Sequence, residues 1–202
     1  MEPFAIGPTW GAGLGGLLGL LIGSFLNVVI HRLPQMLERR WACECAELGG
    51  QPVTAGEPFN LARPRSRCAS CGAVIRWHQN IPLLSYVLLR GRCTCCQTRI
   101  SPRYPLVEAL TGLLFAWIVA RHGIGMTSLA WCGFVAALLA LGFIDWDTTL
   151  LPDDITLPLV WAGLIAATLG WTGVAPGDAL WGAVAGYLSL WSVYWAFKLV
   201  TG

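Results

Sequence analysis

The sequence predicts an all-α polytopic membrane protein, with about five transmembrane helices and a small Cys-rich loop domain between the first two. Three observations predict it. Of 202 residues, 55% are hydrophobic and only 12% charged, about half the charged share of a soluble domain. The mean hydropathy is +0.61, which excludes disorder as well as an ordinary soluble globule. The charges gather in one long polar segment and a few short ones, and apolar runs separate them. Eleven Trp and 24 Gly suit interfacial anchoring and close helix packing in lipid.

The first run, Trp10 to Ile30, carries no charge and has the roughly 20 residues needed to cross the hydrocarbon layer. A cleaved signal peptide has a basic start and a short apolar core. Here the first basic residue with a full charge is Arg32, after the run, so the run is expected to be a retained span. Gly15, Gly19 and Gly23 are spaced by four and share one helical face. That face allows another helix to approach closely, and packing within the chain is the plainer reading than dimerisation. Asn27, near the inner end, is either a polar partner for a neighbouring helix or a site residue.

Four further runs follow, at 106–120, 128–144, 155–171 and 179–197. The first of these is short and contains Glu108, but Pro105 suits its first turn and Glu108 the positive end of its dipole. The expected organisation is residues 1–30 as the first helix, 31–104 as a loop domain, and 105–202 as helices two to five.

The loop segment, His31 to Tyr104, holds eleven of the thirteen Lys and Arg residues. Positive residues close to span ends stay in the cytoplasm. The N-terminus is therefore expected outside and the loop inside, with Trp146–Asp154 and Lys198 also inside. The basic excess is read most simply as topology and contact with anionic membrane lipids, and no nucleic-acid partner is expected. Residues Gly49–Pro64 look irregular. No internal repeat is evident.

Seven of the eight Cys lie in this loop. Cys68-Ala-Ser-Cys71 is followed after twenty-one residues by Cys93-Thr-Cys95-Cys96. Two C-x-x-C pairs at that separation suit four thiolates around one Zn²⁺, a closed structural site like that of a zinc ribbon. Cys68, Cys71, Cys93 and Cys96 are the expected ligands, although Cys95 competes with Cys96 on spacing alone. Redox use of the pairs is the alternative, but a cytoplasmic loop is a reducing environment. Cys43 and Cys45 have no evident partner, and Cys132 reads as a small core residue. A loop of this size with few aliphatic residues needs a metal to fold.

Asp145, Asp147, Asp153 and Asp154 lie within ten residues at the inner membrane edge. Asp153 or Asp154 fits a helix cap. Asp145 does not, because it directly follows an apolar run, and a charge there is a functional candidate by default. Aspartic-protease chemistry needs two carboxyl groups sharing a proton. Asp147 is two residues from Asp145, and such side chains do not face each other on a helix. Glu108 is a weak candidate for the second group.

Three stretches together resemble the type IV prepilin peptidases, membrane aspartic proteases of the GxGD class. They are Gly23-Ser-Phe-Leu-Asn27 through Pro34; Arg67-Cys68 through Cys71, Trp77–Ser85, Arg90–Cys93 and Ile100–Pro105; and Asp145 through Pro152-Asp153. The resemblance implies an inner-membrane enzyme that cleaves the leader of type IV prepilins and pseudopilins on the cytoplasmic side. It also implies methylation of the new N-terminus from S-adenosylmethionine, in type IV pilus or type II secretion systems. Asp145 matches the first catalytic aspartate of that pattern, with Asp147, Asp153 and Asn27 as candidate supporting residues. The family's second aspartate lies in G-x-G-D, which is absent from the 202 residues. The expectation is of a chain truncated before that motif and inactive alone. The alternative is a non-catalytic membrane scaffold bearing a zinc module.

Overall fold

The structure, a computed structural model, describes residues 8–50, 59–68 and 70–201. It contains six α-helices in chain order: α1 (Pro8–Leu48), α2 (Leu84–Leu88), α3 (Arg103–His122), α4 (Met126–Thr148), α5 (Asp153–Thr168) and α6 (Pro176–Thr201). Among the described residues the only β-structure is two isolated antiparallel bridges, Arg67 with Val74 and Arg92 with Arg99. All five expected apolar helices form. Four of them, α1, α3, α4 and α6, are long and apolar enough to cross a membrane. The fourth expected span, α5, has 16 residues and rises only about 24 Å, short of the roughly 30 Å hydrocarbon layer.

The largest departure from the sequence reading is α1. The expected helix ends at Ile30, but α1 runs unbroken for 41 residues to Leu48, a length of about 60 Å. Its second half carries Arg32, Arg39 and Arg40 out of the apolar zone. The reason is local: Gln35-Met-Leu-Glu-Arg-Arg and Ala42 through Leu48 are dominated by strong helix formers. Gly49 and Gly50 end the helix, with Gly50 at φ +65°. Residues 51–58, within the segment expected to be irregular, lie outside the described residues.

The core gathers where α1, α3 and α4 meet. Leu26, Val29, Ile30, Leu33 and Leu37 of α1 pack with Val107 of α3 and with Ala140 and Ile144 of α4. Their spacing on α1 is that of one helical stripe. Further along, Phe115, Ile118 and Cys132 form a second cluster, as expected for Cys132.

The glycine stripe is used within the chain. A Cβ on Gly19 would lie 2.7 Å from the Thr111 carbonyl oxygen and 2.8 Å from Gly112 Cα, and one on Gly23 would lie 2.7 Å from Glu108 Cα. The two backbones are in contact because no side chain stands between them. Helix α6 has no buried residue, and the chain exposes 14401 Å², well above the roughly 9,300 Å² of a soluble monomer of this mass. Leu113, Trp117, Leu129, Trp181 and Leu190 are among the large apolar side chains the helices leave exposed, as helices facing lipid do.

Arg32 has a role the sequence reading missed. It is 8% exposed, and its guanidinium donates to the carbonyls of Asn60 at 2.9 Å and Pro64 at 2.7 Å. The Asn60 side chain accepts from the Ala62 and Arg63 amides, a turn that aims these carbonyls at Arg32. Arg32 is buried while Asn60 and Pro64 are exposed, so Arg32→Ala loses the charge-assisted bonds but leaves carbonyls that water can reach, and is expected to cost about 2 kcal/mol. Lys does not restore the fork. Limited proteolysis would show cleavage near residues 59–64 in both variants.

Candidate functional site

Cys68, Cys71, Cys93 and Cys96 present their sulfurs within 4.8 Å of one another. Each C-x-x-C pair sits on the same backbone device. The Cys68 amide donates to the Ala73 carbonyl and the Gly72 amide to Cys68; the Cys93 amide donates to Thr98 and the Gln97 amide to Cys93. The flanking bonds also correspond, from Ile75 to Ser66 and from Ile100 to Gly91. The residue after each pair turns left-handed, Gly72 at φ +69° and Gln97 at φ +57°. The two knuckles are therefore one short unit used twice, at a constant offset of 25 residues (Cys68 to Cys93). This corrects the reading that no internal repeat exists. In that register Cys95 corresponds to Ser70 and Cys96 to Cys71, and it is Cys96 whose sulfur lies in the cluster.

Amides aimed into each knuckle tune the thiols. The Cys71 and Ser70 amides hold Cys68 below the ordinary thiol range. The Thr98 hydroxyl and amide bring Cys96 down to about 6. At Cys71 the Ala73 amide favours the thiolate, but partial desolvation and the sulfurs of Cys96, Cys68 and Cys93 push it up to about 12. Such a donor set suits a thiophilic metal, which binds thiolates and displaces the remaining protons. At neutral pH Cys96 is ionised and Cys71 is not. Metal affinity is therefore expected to fall more steeply once the pH drops below about 6, where Cys96 also takes up a proton. Calorimetry in buffers of different ionisation heat would count more protons released per metal below that pH than at neutrality.

The acidic edge is built from the end of α4 and the start of α5. Asp145 lies in the last turn of α4 with an exposed side chain. The turn is closed by the Thr149 amide, which donates to the Asp145 carbonyl at 2.8 Å, with Thr149 left-handed at φ +54°. Among the described residues no cation pairs with Asp145. Asp147 is paired with Arg103, whose guanidinium also donates to the Phe143 carbonyl at 3.3 Å. Arg103 thus joins the start of α3 to the end of α4. Sequence reasoning counted it only as a loop charge.

Asp147 and Asn27 come together. They line a cleft of about 160 Å³ with His31, Ser101, Arg103 and Tyr104. Asn27 donates to the Tyr104 carbonyl at 3.1 Å, the helix pairing that its position suggested. Neither Asp145 nor Asp153 lines this cleft. Asp153 is not a cap: Pro152 occupies that position, and Asp153 and Asp154 lie in the first turn of α5, where their charge complements the dipole. Asp154 also lies 3.7 Å from Arg40. Glu108 is drawn elsewhere, since its carboxylate accepts the Leu83 amide at 2.8 Å.

Fold and site together define a polytopic helical membrane protein with a four-cysteine loop and a carboxylate-rich edge where its helices end. Comparison with known proteins narrows the class. The Bacterial Peptidase A24 N-terminal domain matches residues 17–122, and the Type IV leader peptidase family matches residues 132–201. The chain belongs to the type IV leader peptidase family. It is 52% identical over 198 residues to a Prepilin leader peptidase/N-methyltransferase of Pseudomonas putida, covering 98% of this chain and 68% of that relative. A protein of the same description from Pseudomonas aeruginosa is 51% identical over 187 residues, covering 92% and 64%. One from Neisseria gonorrhoeae is 48% identical over 205 residues, covering 100% and 69%. The chain thus spans about two thirds of the length of these relatives. No solved structure matches it.

Proposed function

We propose that this chain carries the membrane and metal-binding part of a prepilin leader peptidase and N-methyltransferase. The observation that carries the reading is Asp145, a carboxylate with no cation partner among the described residues, at the end of a membrane-length helix in a chain about half identical to proteins of that description. Asp145 serves as one of two carboxyl groups that share a proton, activate water and polarise the scissile carbonyl. Asp147, Asp153 and Asn27 support it, Asp147 through Arg103. The substrates are type IV prepilins or pseudopilins. After cleavage the new N-terminus is methylated with S-adenosylmethionine as donor. Zn²⁺ held by Cys68, Cys71, Cys93 and Cys96 is structural, because all four positions are protein thiolates and none is left open for water. The protein resides in the bacterial inner membrane with its N-terminus outside and the cysteine loop in the cytoplasm, where eleven basic residues hold it.

The 202 residues contain no G-x-G-D, and we propose that this polypeptide alone does not cleave. A synthetic prepilin leader peptide tests both statements. The 202-residue protein is expected to yield no product. Fused to the C-terminal third of the Pseudomonas putida relative, it is expected to cleave after the leader, and Asp145→Asn in that fusion to lower the rate at least about a thousandfold. Product from the unextended chain would overturn the two-carboxylate requirement. A silent fusion, or one indifferent to Asp145→Asn, would favour a non-catalytic scaffold with a zinc module.

A further inference from the structure

The short helix α2 is not explained by peptidase or metal chemistry. Leu84, Val87 and Leu88 are 53%, 69% and 72% exposed, and their spacing puts them on one helical face. The opposite face is anchored. Tyr86 packs on Gly91, where a Cβ would lie 2.9 Å from the Tyr86 hydroxyl oxygen. Gly91 is buried and left-handed at φ +64°, so only glycine lets the second knuckle seat this close to α2. The apolar ridge is therefore presented outward by a fixed support.

On the Tyr86 side of α2 lies a cleft of about 540 Å³, lined by Tyr86, Arg90, Arg92, Arg99, Ile100 and Pro102 among others. Arg92 and Arg99 face each other across an antiparallel bridge, an arrangement in which like charges repel. Among the described residues none of the three arginines has an acidic partner. An anion between them would relieve that repulsion.

The position of this element identifies the anion's source. The Leu83 amide, immediately before α2, donates to Glu108 at 2.8 Å, and Glu108 is the sixth residue of α3. That bond holds α2 about 7 Å along the helix axis from the start of a membrane-length helix, at the level where the chain enters lipid. An apolar ridge on a short helix, followed in the chain by Arg90 and the bridged Arg92 and Arg99, matches at that level a bilayer interface, with acyl chains at the ridge and phosphate at the guanidinium groups.

We propose that α2 and the second knuckle form an interfacial anchor for anionic phospholipid: Leu84, Val87 and Leu88 enter the membrane surface, and Arg90, Arg92 and Arg99 bind the headgroup phosphate. The proposal rests only on α1, α3 and α4 spanning a bilayer and is independent of peptidase activity.

Hydrogen–deuterium exchange of the whole chain in nanodiscs tests it, with phosphatidylcholine alone or mixed with phosphatidylglycerol. In the mixed discs the amides of residues 84–92 are expected to exchange more slowly. Each arginine contributes roughly a fivefold factor and the three together about a hundredfold. The combined variant Arg90→Gln, Arg92→Gln, Arg99→Gln is expected to erase the difference between lipids, and the corresponding Lys variant to keep it. Leu84→Ser with Val87→Ser and Leu88→Ser is expected to remove protection in both lipids. Arg90→Gln alone, which lies outside the Arg92–Arg99 bridge, is expected to weaken the lipid dependence without altering metal content. Equal exchange in the two lipids overturns the proposal. So does protection produced by inorganic phosphate in pure phosphatidylcholine, which would mark a site for a soluble anion. Protection that depends on protein concentration instead of lipid would mark contact with a second copy and also overturns it.

Discussion

Cys96→Ser is expected to abolish metal retention and unfold the loop domain, while Cys95→Ser, one residue away, leaves both intact. The contrast follows from the knuckle repeat. Cys96 stands where Cys71 stands in the first knuckle and shares the 4.8 Å cluster, whereas Cys95 stands where Ser70 does and is not among the clustered sulfurs. Structural zinc contributes on the order of 10 kcal/mol or more in small thiolate-bound domains. A segment with so little aliphatic core has no comparable alternative source of stability. Metal analysis of the purified protein would read about one zinc per chain for the parent and for Cys95→Ser, and close to none for Cys96→Ser. Retention of zinc by Cys96→Ser, or its loss from Cys95→Ser, would sink the assignment. The same experiment separates a structural site from a redox pair, since thiol exchange without bound metal would appear as disulfide in the parent.

The second large effect is expected at the contact of α1 with α3. Gly19→Leu places a side chain where the Thr111 carbonyl oxygen lies 2.7 Å away, Gly112 Cα 2.8 Å and Phe115 Cβ 2.8 Å. Two of these are backbone atoms of a packed helix, so the strain is relieved only by parting the helices. Overpacking costs about 1–3 kcal/mol where side chains alone must move, and about 3 kcal/mol or more is expected here. In a chain of this size that lowers Tm by roughly 10 °C. Gly13→Leu is the control, because nothing lies within 4 Å of its Cβ position and the added side chain meets lipid. A thermal melt in mild detergent compares them. Equal melting of both variants would show that the stripe is not a packing surface within the chain.

Sequence periodicity and charge carried much of this architecture. Five apolar helices were legible because the hydrocarbon layer selects length and composition directly. The four-cysteine cluster was legible because a tetrahedral ion dictates the spacing within each pair. The continuation of α1 to Leu48 was hidden, since hydropathy stops at the first arginines while helix propensity does not. Arg32 and Arg103 were hidden for a related reason. Counted along the chain they are two of many loop cations; only the folded chain shows one holding three backbone carbonyls and the other joining α3 to Asp147.

The sequence by itself determined that the chain is a helical membrane protein with a thiolate site and an acidic edge, because burial in lipid and metal coordination act on residue type and near-neighbour spacing. Tertiary structure alone decided which of Cys95 and Cys96 joins the cluster, which helix the glycine stripe meets, and that Asn27 and Asp147 share a cleft that Asp145 does not line. These depend on contacts between residues far apart in the chain, where a difference of one backbone turn exchanges one partner for another.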